Sequence, residues 1–479
     1  MKKTFLSILF LLGAMFSTGV NAQEEAAVVS PIQAHLDSLV QNHLPKGSHV
    51  GIYVYDMTDN KAIYAYNHDK LQRPASTMKL VTTITTLAQP QSDEPFRTAV
   101  YYQGKVKKNT LHGDLYIVGG MDPEFNDASM DTIADAIAAL PFKKIKGHIY
   151  GDVSLKDSIY WGTGWIWDDT PASYQPYLSP LLLNRGCVTV VAEPTAPGQP
   201  AKITCTPATS YINLINQTAT STPEAGRFSA SRNWLENGND FVVKGNVDRK
   251  RSGTVNVFAP EGFFLQTLQD RLEARGMKIE EGYAVRELVK DDNTVLVTVY
   301  ETPVQQVVNQ LMKTSDNLNT EAMLIRLAHQ STGKRHLSAE DGLQAVRALI
   351  DSIGLGAKNY RVADGCGLSN YNNISPELLV ELLRFAKSRD DIYAKLYQSL
   401  PIGGIDGTLK SRMKEGTPSY NNVHAKTGTI SGISCLAGYC TAANGHELVF
   451  AIMNQNMLSS REARLFQDAV CDGMIISVK

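Results

Sequence analysis

Three short runs of residues in this chain have the composition and order to do chemistry together: Ser76-Thr77-Met78-Lys79, Ser315-Asp316-Asn317 and Lys426-Thr427-Gly428-Thr429. A serine and a lysine one helical turn apart share a face near the helix N-terminus, so hydroxyl and amine can touch. The hydroxyl becomes a nucleophile when a base takes its proton, and a lysine can be that base only where it is neutral. Burial, a second lysine and the positive end of a helix all disfavour the ammonium, so this setting is expected to lower the Lys79 pKa. The second run opens a helix, where capping alone favours Ser, Asp and Asn. Used catalytically, Ser315 relays the proton from base to leaving amine, Asn317 holds the substrate backbone and Asp316 serves structure. The third run is predicted to lie on a strand that breaks at Gly428, where the missing side chain lets substrate lie against the backbone. There Lys426 offers a positive charge, and Thr427 and Thr429 offer hydroxyls, to a terminal carboxylate. Backbone N–H groups of Ser76 and Thr429 can form an oxyanion hole. The chemistry these parts support is acyl transfer through a serine whose base is a lysine.

Taken singly, each run is weak. Ser-x-x-Lys recurs at Ser331/Lys334 and Ser411/Lys414, and Ser-x-Asn recurs at Ser231/Asn233 and Ser419/Asn421, whereas Lys-Thr-Gly occurs once. The ordered set discriminates. Other chemistries fit less well. The chain has no Gly-x-Ser-x-Gly elbow, which disfavours a Ser-His-Asp hydrolase. Its ten histidines are dispersed, no Cys/His cluster has zinc spacing, and His446-Glu447 lacks the second histidine of a zinc protease. No metal or cofactor is expected. His424 shares a strand face with Lys426 and reads as a packing residue.

The elements that must position these residues are legible in outline. Ile32 to Leu44 has helical spacing of apolar residues, and Gly51–Tyr55 and Ala62–Tyr66 read as strands joined by a turn. A helix is expected to start near Ser76, after Pro74. From about Glu94 to Glu301 the chain changes to short strand-like pieces and turns with one or two helices, of which Gly262 to Arg275 is the clearest. Within that stretch Cys187 to Asn246 reads as nearly all β, and the polar Gln217 to Thr222 as a loop. Helices return at Pro303–Lys313, Asp316–His329, Ala339–Ile353 and Pro376–Lys387, the last two N-capped by Ser338 and Ser375. Strands at Val423–Lys426, Ile433–Tyr439 and Glu447–Met453, with Asn444-Gly445 marking a hairpin, precede a closing helix from Ser460 to Met474. The fold expected is α/β: a sheet flanked by helices, built from both chain ends, with mainly β material inserted between them.

The first residues, Met1-Lys2-Lys3, an apolar run from Phe5 to Phe16 and Val20-Asn21-Ala22, read as an export leader ending at residue 22. The run is shorter than the roughly 20 residues that span a bilayer, and Gln23 rather than Cys follows the cut, so no integral membrane segment or lipid anchor is expected in the mature chain. A formal net charge of −2 over 479 residues, 43% of them hydrophobic, gives no support to nucleic-acid binding and suits two or three domains. Six cysteines are too sparse for a disulfide scaffold. Cys187 and Cys205, on neighbouring strand-like runs, form the pair to test first, whereas Cys435 and Cys440 should face opposite sides of one strand.

With these motifs in view, the chain resembles the type-4 (low-molecular-mass class C) penicillin-binding proteins, the D-alanyl-D-alanine carboxypeptidase/endopeptidases of cell-wall metabolism. The likeness covers nearly all of the mature sequence. It includes Gly119-Gly120-Met121-Asp122-Pro123, Gly164-Trp165-Ile166-Trp167-Asp168-Asp169, Asp364-Gly365-Cys366-Gly367-Leu368-Ser369 and Asp406-Gly407-Thr408-Leu409, together with the long insertion. The resemblance implies a transpeptidase/β-lactamase-like domain carrying two nested accessory domains. On this basis residues 23–93 with 300–479 form the catalytic domain, 94–186 with 247–299 the first insertion, and 187–246 a domain nested within it. It further implies a periplasmic enzyme acting on peptidoglycan stem peptides. Ser76 would attack the carbonyl between two D-alanines or at a D,D cross-link, β-lactams would acylate the same serine, and Gly367, Leu368 and Ile430 would wall the pocket. Cys366 stands where the family has serine, which exposes that wall to thiol oxidation. The alternatives are a serine β-lactamase and a non-catalytic peptidoglycan-binding envelope protein.

Overall fold

The computed structural model describes residues 30–477, so the leader expected at 1–22 lies outside the described residues. Both ends of the chain build one five-stranded sheet. Its order is His424–Ile430, Ile433–Thr441, Glu447–Gln455, His49–Asp56, Lys61–Tyr66, and every neighbouring pair is antiparallel. Side chains alternate across a strand, and here both faces are buried. Cys435, Ala437 and Tyr439 join one core with Tyr53, Tyr55, Ala451 and Met453. Leu436 and Cys440 join another with Ile52, Phe450 and the terminal helices, through Leu36, Val40, Phe466 and Val470. Cys435 and Cys440 thus lie on opposite faces, as their odd spacing predicts.

The first core is covered by helices Val304–Thr314, Asn317–Thr332 and Pro376–Lys387, packed around Met78–Leu87. All ten residues of Met78–Leu87 are buried, the state of a helix surrounded on every side. Three of its four threonines survive there by bonding inward, whereas the Thr83 hydroxyl is buried without a partner. Thr85 Oγ1 donates to Val81 O at 2.7 Å, Thr86 Oγ1 to Thr82 O at 2.8 Å, and Thr82 Oγ1 to Gly365 O at 2.7 Å. Ser338 and Ser375 cap their helices as expected, accepting from Asp341 N and Leu378 N.

Between these halves lies the inserted material. A seven-stranded sheet uses Phe96–Lys107, Thr110–Gly119 and Thr294–Thr302 among its strands, with helices Asp127–Ala138 and Pro260–Ala274 against it. Two three-stranded sheets follow from the stretch Cys187 to Asn256. Two expectations fail here. Gln217 to Thr222 is not a loop: most of it belongs to the strand Asn213–Thr220, whose polar residues are held by parallel pairing with Asp240–Val247. Nor are Cys187 and Cys205 bonded. All six cysteines are free, and Cys205 stands opposite Val190, which puts it on the other face of the sheet from Cys187.

Candidate active site

The serine turn is built by close approaches that only glycine permits. Ala75–Thr77 forms a tight 3-10 turn leading into the buried helix, with Ala75 at φ +45°. A Cβ on Gly367 would stand 1.9 Å from Ala75 O. A Cβ on Gly428 would stand 2.8 Å from Pro74 O and 2.9 Å from Ser76 N. The turn is therefore clamped between a loop and the edge strand of the sheet. This corrects two expectations. The strand His424–Ile430 runs unbroken through Gly428, and the missing side chain admits the serine turn rather than substrate. Gly367, fully enclosed, supports Ala75 instead of walling a pocket.

Three parts of the chain meet at Lys79: its own serine turn, the start of the helix at Asn317 and the loop at Cys366. The side chain is fully buried, and Nζ lies 3.0 Å from Ser76 Oγ, 2.6 Å from Asn317 Oδ1 and 2.7 Å from Cys366 O. A neutral amine has two N–H donors and one lone pair. The two carbonyl oxygens take the donors, leaving the lone pair for the proton of Ser76. Burial pushes the Lys79 pKa below the ordinary lysine value, against the opposing pull of Cys366, Asp364, Asp316 and Glu321.

Lys426 is buried as completely. Its Nζ donates to Ser315 Oγ at 2.8 Å and to Thr427 O at 2.7 Å. Burial, and then the charge of Lys79, hold its pKa well below the ordinary lysine value. Ser315 ends one helix in the left-handed region at φ +63°, and Asp316 caps the next by accepting from Asn319 N at 2.9 Å, the structural part expected of it. The Asn317 amide is engaged at both ends: Oδ1 takes Lys79 while Nδ2 donates to Tyr174 O at 2.6 Å. It therefore orients the base and fixes a wall before any substrate backbone is considered.

These groups open on a cleft of about 610 Å³ that Ser76, Ser315, Asn317, Leu368, Thr429 and Ile430 all reach, within the roughly 300–1,000 Å³ typical of ligand sites. Thr427 does not reach it, since its Oγ1 donates to Thr408 Oγ1 at 2.7 Å. His424 stacks on Tyr397 with ring centroids 4.2 Å apart, a packing role. The duplicate motif residues Ser331, Lys334, Ser411 and Lys414 are exposed.

Glu321 was not singled out from the sequence, and Asp364, Asp168 and Asp169 were named only within their motifs, without a role. Glu321 lies one turn beyond Asn317, and its Oε1 accepts from Gly365 N at 3.0 Å and Cys366 N at 2.8 Å. It thereby anchors the loop whose carbonyl receives Lys79. Its i, i+4 spacing from Asn317 was the available signal. Asp364 ties the same loop together and accepts from Trp165 Nε1 at 2.9 Å. Asp168 and Asp169 line the cleft. Cys366 contributes its carbonyl, while its thiol is enclosed and its pKa raised well above the ordinary value by burial. Such a thiol is poorly placed for oxidation, contrary to expectation.

Comparison with known proteins agrees with this geometry. Residues 32–473 match the model of the D-Ala-D-Ala carboxypeptidase 3 (S13) family. The chain is 27% identical over 413 residues to the D-alanyl-D-alanine carboxypeptidase DacB of Haemophilus influenzae, covering 85% of each. It is also 27% identical over 471 residues to the D-alanyl-D-alanine carboxypeptidase of Actinomadura sp. (strain R39), covering 94% of this chain and 85% of that one. The crystal structure of penicillin-binding protein 4 from H. influenzae superposes with a TM-score of 0.79 at 25% identity, covering 91% of this chain and 98% of that one. Neither the β-lactamase nor the binding-protein alternative is favoured by these relatives. The chain belongs to the D-Ala-D-Ala carboxypeptidase 3 (S13) family and is a serine-type D,D-peptidase.

Proposed function

We propose that Ser76 is the nucleophile and Lys79 its base in hydrolysis of D-alanyl-D-alanine peptide bonds of peptidoglycan, outside the cytoplasm. The observation that carries this assignment is the three-way environment of Lys79 Nζ: two carbonyl acceptors and the Ser76 hydroxyl, with no water-exposed surface. Lys79 takes the Ser76 proton as Oγ adds to the D-alanyl carbonyl carbon. The backbone N–H groups of Ser76 and Thr429 receive the developing oxyanion. When the C–N bond breaks, the proton passes through Ser315 to the leaving amine. Water then adds to the acyl-enzyme by the same base, releasing the acid and restoring Ser76.

Lys426, with Thr429 beside it, binds the carboxylate of the leaving residue, and Thr427, turned to Thr408, takes no direct part. Burial and Lys79 disfavour its ammonium in the free site, and an arriving carboxylate restores it. A charged Lys426 in turn keeps Lys79 neutral, so substrate binding readies the base. Leu368 and Ile430 wall the acyl side, with Asp168 and Asp169 offering negative charge to a cationic group of the stem peptide. A β-lactam mimics the peptide bond and acylates Ser76. The leader at 1–22 directs the chain to the periplasm. No helix among the described residues is long and apolar enough to cross a membrane. The test is release of D-alanine from a pentapeptide muropeptide. The wild type should release it and Ser76→Ala should not; release by Ser76→Ala at the wild-type rate would refute the assignment.

A further inference from the structure

One residue of the motif at 164–169 takes no share in the chemistry above. Along that run Trp165 turns inward to Asp364, while Ile166, Asp168 and Asp169 border the cleft. Trp167 does not border it and stays 68% exposed. Its ring meets that of Trp234, which comes from the stretch Cys187 to Asn256, with centroids 5.5 Å apart and planes tilted by 33°. Aromatic rings at that separation stack with an offset, so Trp234 backs one side of the Trp167 ring and the remainder is open. Leu235, 75% exposed, extends the apolar surface on one side. Ile166 extends it on the other and carries it into the cleft.

One buried network holds the two indoles in fixed relation. Arg232 is buried and donates through Nε to Asn256 O and through Nη1 to Gly238 O, both at 3.0 Å, which fixes the turn Trp234–Glu236 lying between Arg232 and Gly238. Asn256, buried as well, donates through Nδ2 to Thr170 O and, at 2.8 Å, to Gln175 O. Gln175 Nε2 in turn donates to Ile166 O at 2.9 Å, which fixes the loop of Trp167. Among the described residues neither ring belongs to a hydrophobic core. A supported apolar surface that fills no core has the character of an interaction site.

The open face of an indole is apolar and electronegative, which suits a flat ligand surface of C–H groups edged with hydroxyls and amides. A pyranose ring of an acetylated amino sugar has that surface. Asp168 and Asp169 on the cleft side, and the exposed Glu236 beyond Trp234, make the surroundings acidic. That disfavours a phosphate-bearing polymer and leaves acceptors for sugar hydroxyls. Extended peptide covers about 3.4 Å per residue, so a stem peptide in the cleft would bring the sugar that carries it to Trp167 within a few residues. We propose that Trp167 and Trp234 form a binding site for the glycan strand of peptidoglycan, with a sugar ring packed on the open indole surface. Identifying the sugar as that of peptidoglycan rests on the function proposed above, whereas sugar binding by the stack does not.

The test titrates the mature chain with chitotetraose, the linear tetramer of N-acetylglucosamine, by calorimetry. It also compares cleavage of a pentapeptide with and without its disaccharide, and takes benzylpenicillin acylation as the reference. The variants are Trp234→Ala, which lies off the cleft loop, Trp167→Ala and Trp167→Phe, each confirmed as folded by thermal melting. The wild type should bind the tetramer and show the lower KM for the pentapeptide that carries its disaccharide. Each alanine variant should bind the tetramer roughly tenfold or more weakly and lose the KM advantage, while Trp167→Phe keeps part of both. Penicillin acylation should stay within about twofold of wild type. Tetramer binding that is absent from the wild type, or unchanged in both alanine variants, would overturn the proposal. So would equal losses on the sugar-free peptide and penicillin, which would make the stack a support for the cleft loop. A wild-type dimer that Trp234→Ala dissolves would overturn it too, in favour of a contact between copies. A wild type that binds the tetramer but takes up no penicillin would confirm the sugar site and refute the serine-peptidase assignment, and with it the identification of the sugar.

Discussion

Glu321 is a buried carboxyl that no step of the reaction touches, yet its replacement should disturb the site in a calculable way. Its Oε1 satisfies two buried backbone donors, Gly365 N and Cys366 N, and the Cys366 carbonyl then holds Lys79. Truncation in Glu321→Ala leaves both donors unpaired, at about 1–3 kcal/mol each, and frees the loop that positions the base. Glu321→Gln keeps an acceptor oxygen in place. The two variants also separate acceptor from charge. Burial, and then Asp364, push the Glu321 pKa from 4.5 to about 7. The folded protein thus holds this proton more tightly than the unfolded chain, so stability falls as pH rises from the unfolded value through about 7. That interval corresponds to about 3 kcal/mol, and Gln is spared it. Urea midpoints at pH 5 and pH 8 should therefore show wild type losing ground to Glu321→Gln at the higher pH. At pH 5 Glu321→Ala should lie below both. Penicillin acylation should survive in the Gln variant and slow sharply in Ala. Parallel pH profiles for wild type and Gln, or an Ala variant as stable as wild type at pH 5, would refute this account of the loop.

Three further outcomes follow from the same geometry. Gly428→Ala places a methyl group 2.8–2.9 Å from Pro74 O and Ser76 N; the displaced serine should acylate on the order of 10²-fold more slowly, and stopped-flow acylation at the wild-type rate would contradict the clamp. Because burial lowers the Lys79 pKa, its base form accumulates at a lower pH than for an ordinary lysine. The acylation rate should rise along a limb centred below 10.5, and a limb at the ordinary value would contradict a buried base. Cys366→Ser leaves the carbonyl that holds Lys79 in place, so its acylation rate should stay within about threefold of wild type; a larger loss would show that the thiol itself matters.

Much of this arrangement could be read before the structure, because local rules and packing agree over most of the catalytic half. Period-two alternation placed Cys435 and Cys440 on opposite faces. Ser338 and Ser375 announced their helices through the hydrogen bonds they go on to make. The three motifs named the side chains that meet at Lys79. What escaped depends on contacts distant in sequence. Asp390–Ser399 is a helix without a side-chain cap, announced only by the acidic pair Asp390-Asp391 in its first turn, and it is held by Ile392 and Leu396 in the core. Gly428 looked like a strand breaker because its constraint comes from Ser76, far along the chain. Asn213–Thr220 is too polar to advertise itself as a strand and is held by its parallel partner. Glu321 needs the loop at 364–367 in place before its carboxyl has any meaning.

The most direct measurement of the central claim is the mass and location of the adduct formed with benzylpenicillin. The mature wild-type protein should gain one penicilloyl group, peptide mapping should place it on Ser76, and Ser76→Ala should gain none while Lys79→Met gains it far more slowly. An adduct mapped to any other residue, or one formed equally by wild type and Ser76→Ala, would contradict the account.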